Sequence, residues 1–491
     1  MATSRNKTTF DQVINRQPTD YDAVVLGSGP NGLAAAITLQ QQGLSVLLLE
    51  GKDQIGGGLR SAELTLPGFT HDICSAIHPL AAGSPFFSTL PLQEHGLEWI
   101  YPAVAAAHPF DDGTAALLGG SVDHTATGLG SDADAYRRLM APLVDDWPQL
   151  APELLGPLHF PSHPLLMAGF GWKGLSASIW LARRFHTKEA RGLWGGMAAH
   201  SIQPLSNWST SAIGLVLMIT AHVKGWPLPG RGAVAIADAL ASYFISLGGQ
   251  ISTGTYIREM SQLPSSRALL LDLTPRQLLQ LGGHHWSSLY QWQLERYRYG
   301  MGVFKIDWAL DGRIPFTAPG CRQAGTVHLG NTLEEIVASE ALSAKGGYPE
   351  RPFVLLAQQS VFDPTRAPEG KHTAWAYCHV PNGSKKDRTE AIERQVERFA
   401  PGFRERILAR HVMNTMQLEE YNPNYIGGDI NGGVIDLGQL FTRPALRSSP
   451  YRTSEKGIYI CSSSTPPGGG VHGMCGYHAA RRALKDVFRI S

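Results

Sequence analysis

A short apolar run at 23–26 stops at Gly27, and a second at 45–49 stops at Glu50. Runs this short, apolar throughout and closed by turn or charged residues predict strands buried on both faces of a parallel sheet. Between them Pro30 stands where the first turn of a helix tolerates proline. Residues 33–42 are Ala-rich and predict a helix, which Gly43 ends. Strand, helix, parallel strand is one βαβ unit. Similar syntax returns in mid-chain. Arg231-Gly232 leads into a helix at 233–247, Gly248-Gly249 closes it, strand-like residues start at Gln250, and 268–273 is another apolar strand. Residues 302–310 follow a different rule and alternate. Phe304, Ile306, Trp308 and Leu310 fall on one face, and Val303, Lys305, Asp307 and Ala309 on the other. An amphipathic helix at 392–399 halts at Pro401-Gly402. A final strand at 458–461, a loop at 462–473 and a helix from Met474 to Val487 complete the chain.

The first βαβ unit carries chemistry. Gly27-Ser28-Gly29-Pro30-Asn31-Gly32 matches G-x-G-x-x-G, and Glu50 follows eighteen residues after Gly32, near the ~20 that a dinucleotide fingerprint requires. Gly27 permits the tight turn, Gly29 lets backbone approach a pyrophosphate, and Gly32 lets the helix pack closely. The helix N-terminus offers free N–H groups to phosphate. Glu50 is placed to accept from a ribose diol and would repel a 2′-phosphate, which argues against NADP. After Glu50-Gly51 comes Gly56-Gly57-Gly58, then Arg60. This extension resembles the flavoprotein form of the fingerprint and favours FAD over NAD, with Arg60 as a phosphate or flavin neighbour and a surface salt bridge as its alternative role.

The loop at 462–473 contains Thr465-Pro466-Pro467-Gly468-Gly469-Gly470-Val471-His472-Gly473. No strand ending in an acid follows it, so it reads as a backbone cradle for a negative group rather than as a second nucleotide site. The two glycine motifs together resemble the phytoene desaturase-like FAD-dependent oxidoreductases, within the wider amine oxidase and glutathione reductase-type superfamily. The stretches LPGFTHDICSAIHPL, RALLLDLTPRQ, GVFKIDWALDG and YNPNYIGGDINGG look like one branch of that family, so the resemblance runs almost the full chain. It implies an α/β architecture: a discontinuous Rossmann-like FAD-binding domain (20–100, 228–290 and 440–491) with an inserted α+β substrate domain (101–227 and 291–439), behind a flexible N-terminal extension (1–19). It also implies non-covalent FAD held by Gly27, Gly29, Pro30, Asn31, Gly32, Glu50, Gly51, Gly57, Gly58, Arg60, Ser464, Gly469, Gly470, Val471 and His472. The run Cys461-Ser462-Ser463-Ser464 departs from the glycine or acid that relatives place there, and hydroxyls would take over that contact.

Composition narrows the function. Net charge is +1 with no basic run, so nucleic acid is not an expected partner. Charged residues make up 17%, against about 25% in typical soluble proteins, which predicts a large buried core. The five cysteines form no C-x-x-C, C-x4-C or zinc-like spacing. Disulfide reduction and a metal site are therefore not expected, and a cytoplasmic location fits. The apolar, Pro-rich stretch 154–181 either rests peripherally on a membrane, lines a cavity, or packs ordinarily. Histidine titrates near neutral pH, so His472, His78 and His71 are the catalytic candidates. Lys305 with Asp307 is expected to be a structural pair, and Tyr425 and Asn431 are expected to line a cavity. The resulting expectation is two-electron dehydrogenation of an apolar or amphiphilic, polyene-like substrate, with quinone or oxygen as acceptor. A redox-neutral isomerase, an amine oxidase and a non-enzymatic flavin-containing factor are the alternatives. Oligomeric state is open.

Overall fold

The computed structural model describes residues 21–490; the expected extension at 1–19 lies outside the described residues. Five parallel strands form the first sheet, in the order Ile458–Ile460, Ser266–Leu271, Tyr21–Leu26, Val46–Leu49, Gln250–Ser252. They come from three distant parts of the chain. The apolar runs suit this position because both faces are covered, and Val46–Leu49 is buried at every residue.

The helix Pro30–Gln40 covers one face, and Met474–Ala483 packs on it. Two glycines make that packing possible. A Cβ on Gly32 would stand 1.9 Å from the Gly27 carbonyl oxygen, and one on Gly476 would stand 1.7 Å from the Asn31 carbonyl oxygen. The second contact fastens the helix Met474–Ala483 to the helix Pro30–Gln40.

A second, mixed sheet of seven strands has the order Ile407–Met413, Gly302–Leu310, His372–Val380, Val354–Ala357, Ala324–Leu329, Val104–Pro109, Ala115–Gly119. All neighbours are antiparallel except Ala324–Leu329 with Val104–Pro109. The alternation read at 302–310 holds along the sheet. Phe304, Ile306 and Trp308 join Val327, Leu356 and Ala376 in a core with Ile392, Val396 and Phe399 of the helix Thr389–Phe399. Each large apolar side chain buried there contributes about 2 kcal/mol. The other face is polar and is buried as well. It carries Lys305, Asp307, Thr326, His328, Tyr377 and His379, each less than a tenth exposed. Burial of that face distinguishes this sheet from the usual half-solvated antiparallel layer.

The helix Pro164–Gly174 buries only Phe170 and Gly174. Phe160, Leu165 and Trp172 stand more than four-fifths exposed around it. Among the described residues no helix is long and apolar enough to cross a membrane.

Candidate active site

The polar face of the second sheet looks toward the glycine turns of the first, and one cavity of about 970 Å³ joins them. Every residue singled out above for cofactor or catalysis lines it except Gly32 and His71. Tyr425 and Asn431 line it too.

At the glycine turn, Gly27 adopts φ of 101°, a conformation closed to most side chains. The helix that follows starts at Gly29 with no side-chain cap, so its first N–H groups are left for a ligand or a neighbour. Glu50 is less than a tenth exposed. The Ser28 N–H and hydroxyl donate to its Oε2, at 3.0 and 2.5 Å. The Lys52 N–H donates to Oε1 at 2.9 Å, and Arg60 Nη2 sits 3.1 Å from the same oxygen. A carboxylate has about four acceptor positions, and these four donors match them, so Glu50 is oriented by the protein and a ribose hydroxyl would share or displace one of them. Arg60 is neither a free phosphate ligand nor a surface pair. It is a buried partner of Glu50, and its Nε donates to the Gln54 carbonyl at 2.8 Å.

Asp272 is a member of this site that the glycine motifs do not announce. Its strand pairs in register with the first, Leu26 opposite Leu271, and its own N–H donates to the Leu26 carbonyl at 2.8 Å. The carboxyl therefore lies under the glycine turn and accepts the Gly32 N–H at 3.1 Å. Burial pushes its pKa up to about 7; the Gly32 N–H opposes this and the nearby Glu50 charge adds to it.

The C-terminal loop closes the same end. Ser464 Oγ donates to the Gly432 carbonyl at 2.8 Å, so its hydroxyl is engaged by the neighbouring loop. Arg443 is fully buried and donates to the carbonyls of Ser463, Ser464 and Gly432 and to the Tyr297 hydroxyl. Among the described residues its Nη1 has no partner, and neither does Asn31 Oδ1. An uncapped helix start, a buried guanidinium with an open donor and close-approach glycines together fit the phosphates and polar ring edge of a dinucleotide. Gly27, Gly29, Glu50, Gly57, Gly58, Arg443 and Gly470 would hold it. Nothing local in the sequence marks Arg443, which sits in an ordinary turn-rich stretch.

The three histidines separate. His472 lines the cavity, but both ring nitrogens are committed. Nδ1 accepts the Met474 N–H at 3.0 Å, which leaves the proton on Nε2, 3.2 Å from the Gly468 carbonyl. Burial lowers its pKa to about 4. His472 braces the loop with both ring nitrogens engaged, which leaves it a candidate flavin or substrate contact at the cavity rather than a carrier of protons. His71 lies behind the cavity wall. Its Nε2 meets the Thr65 hydroxyl at 2.8 Å, and its Nδ1 is 3.7 Å from Asp307, which pairs with Lys305 as expected. Burial lowers its pKa to about 4. Only His78 keeps both ring nitrogens unpartnered at the cavity, and burial lowers its pKa to about 4.

Away from the glycines the cavity is lined by Ile213, Leu217, Leu355, Trp375 and Tyr377, and by Leu158, Met167, Leu440 and Phe441, of which Leu158 and Phe441 are also exposed to solvent. The stretch 154–181 thus contributes a cavity lining, at Leu158, Met167 and Phe170 among others, and exposed apolar surface at Phe160 and Trp172.

Comparison with known proteins agrees with this geometry. Residues 25–88 match the NAD(P)-binding Rossmann-like domain family. A mouse protein, pyridine nucleotide-disulfide oxidoreductase domain-containing protein 2, is 29% identical over 96% of this chain and 94% of its own. The neurosporene-forming phytoene desaturase of Rhodobacter capsulatus is 24% identical over 92% of each chain. A solved putrescine oxidase, 17% identical, superposes with a TM-score of 0.62 over 96% of this chain and 99% of its own, and shares the fold. All five cysteines here are free thiols. The Rossmann-like sheet with its inserted mixed sheet is the architecture of these oxidoreductases, and a flavin or nucleotide is the cofactor class they imply.

Proposed function

We propose that this chain, similar to a phytoene desaturase and sharing its fold with putrescine oxidase, binds FAD non-covalently and removes two electrons from an apolar or amphiphilic substrate, leaving a double bond and passing the electrons to a quinone or oxygen. One observation carries this reading. A single cavity runs from the glycine turn to an apolar chamber, and no second dinucleotide fingerprint opens onto it. Bound there, the flavin supplies the acceptor for a hydride equivalent. The protein's part is to hold, orient and dry. Glu50 and the glycine turn fix one end of the cofactor, and Arg443 offers its open N–H to the negative edge. The walls of Ile213, Leu217 and Leu355 exclude water from the reacting bond. The exposed Phe160, Leu165 and Trp172, in the stretch that also lines the cavity, support peripheral membrane contact as the route by which an apolar substrate arrives.

The test is anaerobic mixing of the FAD-reconstituted protein with a polyene hydrocarbon, a long-chain alcohol and a long-chain amine. The expected result is bleaching of the visible flavin band by the polyene or the alcohol; no bleaching by any of the three overturns the redox reading. Turnover only after chemical reduction of the flavin, with no net electron transfer, would replace it with isomerisation. The fold shared with putrescine oxidase favours amine oxidation as the second reading, and bleaching by the amine alone would select it.

A further inference from the structure

The chamber is not uniformly apolar. Among the described residues Ser201 Oγ, Thr326 Oγ1 and both ring nitrogens of His78 have no hydrogen-bond partner, although each residue is at least nine-tenths buried and each lines the cavity. An unsatisfied buried polar group costs about 1–3 kcal/mol, and such groups are rare in folded proteins. Here they converge. His200, next to Ser201, also lines the cavity, and its Nε2 lies 2.9 Å from the Nε2 of His328. His328 is two residues from Thr326 on the same strand face. The Trp226 ring centroid is 5.8 Å from that of His200 and 6.4 Å from that of His328. The carbonyl of the residue after it, Pro227, accepts the His78 backbone N–H at 2.8 Å.

The chemistry of the patch is specific. Burial holds His200 neutral, with a pKa lowered to about 3, and His78 is lowered to about 4. Two neutral rings in Nε2–Nε2 contact share one N–H. Were His200 the donor, His328 would carry its proton on Nδ1, which is fully buried and unpartnered. A lone buried acceptor is tolerated better than a lone buried N–H, so His328 donates and His200 keeps its proton on Nδ1. The patch then offers an imidazole N–H, two hydroxyls and the His78 ring, with no fixed charge among them. A carboxylate or ammonium placed there would lose its hydration without a counter-ion. A neutral oxygen would not.

The geometry points to a polar subsite, built by Ser201, Thr326, His78 and His200, that binds a hydroxyl or carbonyl group of an otherwise apolar substrate. This assignment deepens the proposed function and rests on its reading of the chamber as the substrate site. It predicts an oxygen-bearing amphiphile rather than a pure hydrocarbon or a charged amine.

Calorimetric titration of the FAD-loaded protein with octanol, octane, octanoate and octylammonium tests it. Octanol is expected to bind at least tenfold tighter than octane, and both charged compounds more weakly than octanol. Thr326→Val and Ser201→Ala should each remove about a fivefold to tenfold advantage for octanol while leaving octane unchanged. Thr326→Ser should retain it, which separates loss of the hydroxyl from loss of packing. Equal binding of octanol and octane, tighter binding of a charged compound, or full discrimination in both deletion variants overturns the subsite. Failure of every compound to bind overturns the subsite and the substrate chamber together. Octanol selectivity without flavin bleaching by any substrate leaves the subsite standing and sinks the redox reading alone.

Discussion

The two ends of the cavity treat buried polar groups in opposite ways. At the glycine end they are tied to one another. Glu50 is held by Ser28, Lys52 and Arg60, Asp272 by Gly32, and Ser464 by Gly432. The exceptions are Asn31 Oδ1 and Arg443 Nη1. At the chamber end, the Ser201 and Thr326 hydroxyls and the His78 ring have no partner among the described residues. The first end is pre-organised around a cofactor that stays; the second leaves its groups open for a ligand that comes and goes. Preorganisation lowers the ordering cost of binding, which is worth most for a resident group.

Acid acts on buried neutral histidines at both ends, His472 included, so the chamber's share is read from the difference between the wild type and His78→Gln. His78 and His200 are neutral in the fold, with pKa values of about 4 and about 3, while an unfolded histidine titrates near 6.5. Lowered folded pKa values mean that stability is fully present above about 6.5 and falls as the pH drops below it, until the folded values are reached. At pH 5 each would remove about 2 kcal/mol. A urea midpoint that falls steeply between pH 7 and 5, and a shallower fall in His78→Gln, is the expected outcome. A flat midpoint would mean that these rings have a proton partner after all.

The glycine end should break by crowding instead. A Cβ at Gly32 meets the Gly27 carbonyl oxygen at 1.9 Å, which something must relieve by moving. Overpacking of this kind costs about 1–3 kcal/mol. Gly32→Ala is expected to emerge from purification with little bound flavin, read as the flavin-to-protein absorbance ratio, while the octanol selectivity of the chamber survives FAD saturation. A slightly smaller effect is expected at Arg443→Met. A hydrogen bond to a charged group contributes about 1.5–3 kcal/mol, so FAD affinity by fluorescence quenching should fall about tenfold or more. Unchanged affinity would show that Nη1 does not face the cofactor.

The contrast also explains what could be read from the chain. The glycine turn, its helix and Glu50 occupy one short stretch, and their spacing alone imposes the geometry. The strand Gly302–Leu310 was legible by alternation, because one face had to meet an apolar helix. What alternation could not show is that the opposite face, with Lys305 and Asp307, is buried too. The chamber was not legible because residues 78, 201, 226 and 326 meet only through sheet register and helix packing. His472 shows the other limit. Residue type and place pointed to proton chemistry, but the partners of a ring nitrogen are set by backbone geometry. Asp272 repeats the syntax of Glu50, an acid just past a buried parallel strand, and only the Leu26–Leu271 register places it beneath the glycine turn.

Asp272 gives the smallest effect and the sharpest separation of the two ends. Its carboxyl accepts an N–H of the very helix start that would face phosphate, with the Glu50 charge close by. The other titratable groups that feel it, the thiols of Cys461 and Cys475, are both raised by burial and remain neutral. A pKa pushed up to about 7 means that the group is largely neutral below that pH and charged above it. A dinucleotide pyrophosphate adds negative charge nearby, which favours the protonated carboxyl further. FAD binding should therefore take up a proton from solvent. Affinity should weaken as pH rises above 7, by at most about tenfold per unit for one coupled proton. Asp272→Asn keeps the shape and the Gly32 contact and removes the titration, so its FAD affinity should be flat from pH 6 to 9, roughly the range over which one such group titrates. Octanol affinity in the chamber should show no such slope in either protein. A wild-type FAD affinity independent of pH would place the phosphates away from this carboxyl. A shared slope for FAD and octanol would mean that the two ends are electrostatically one site.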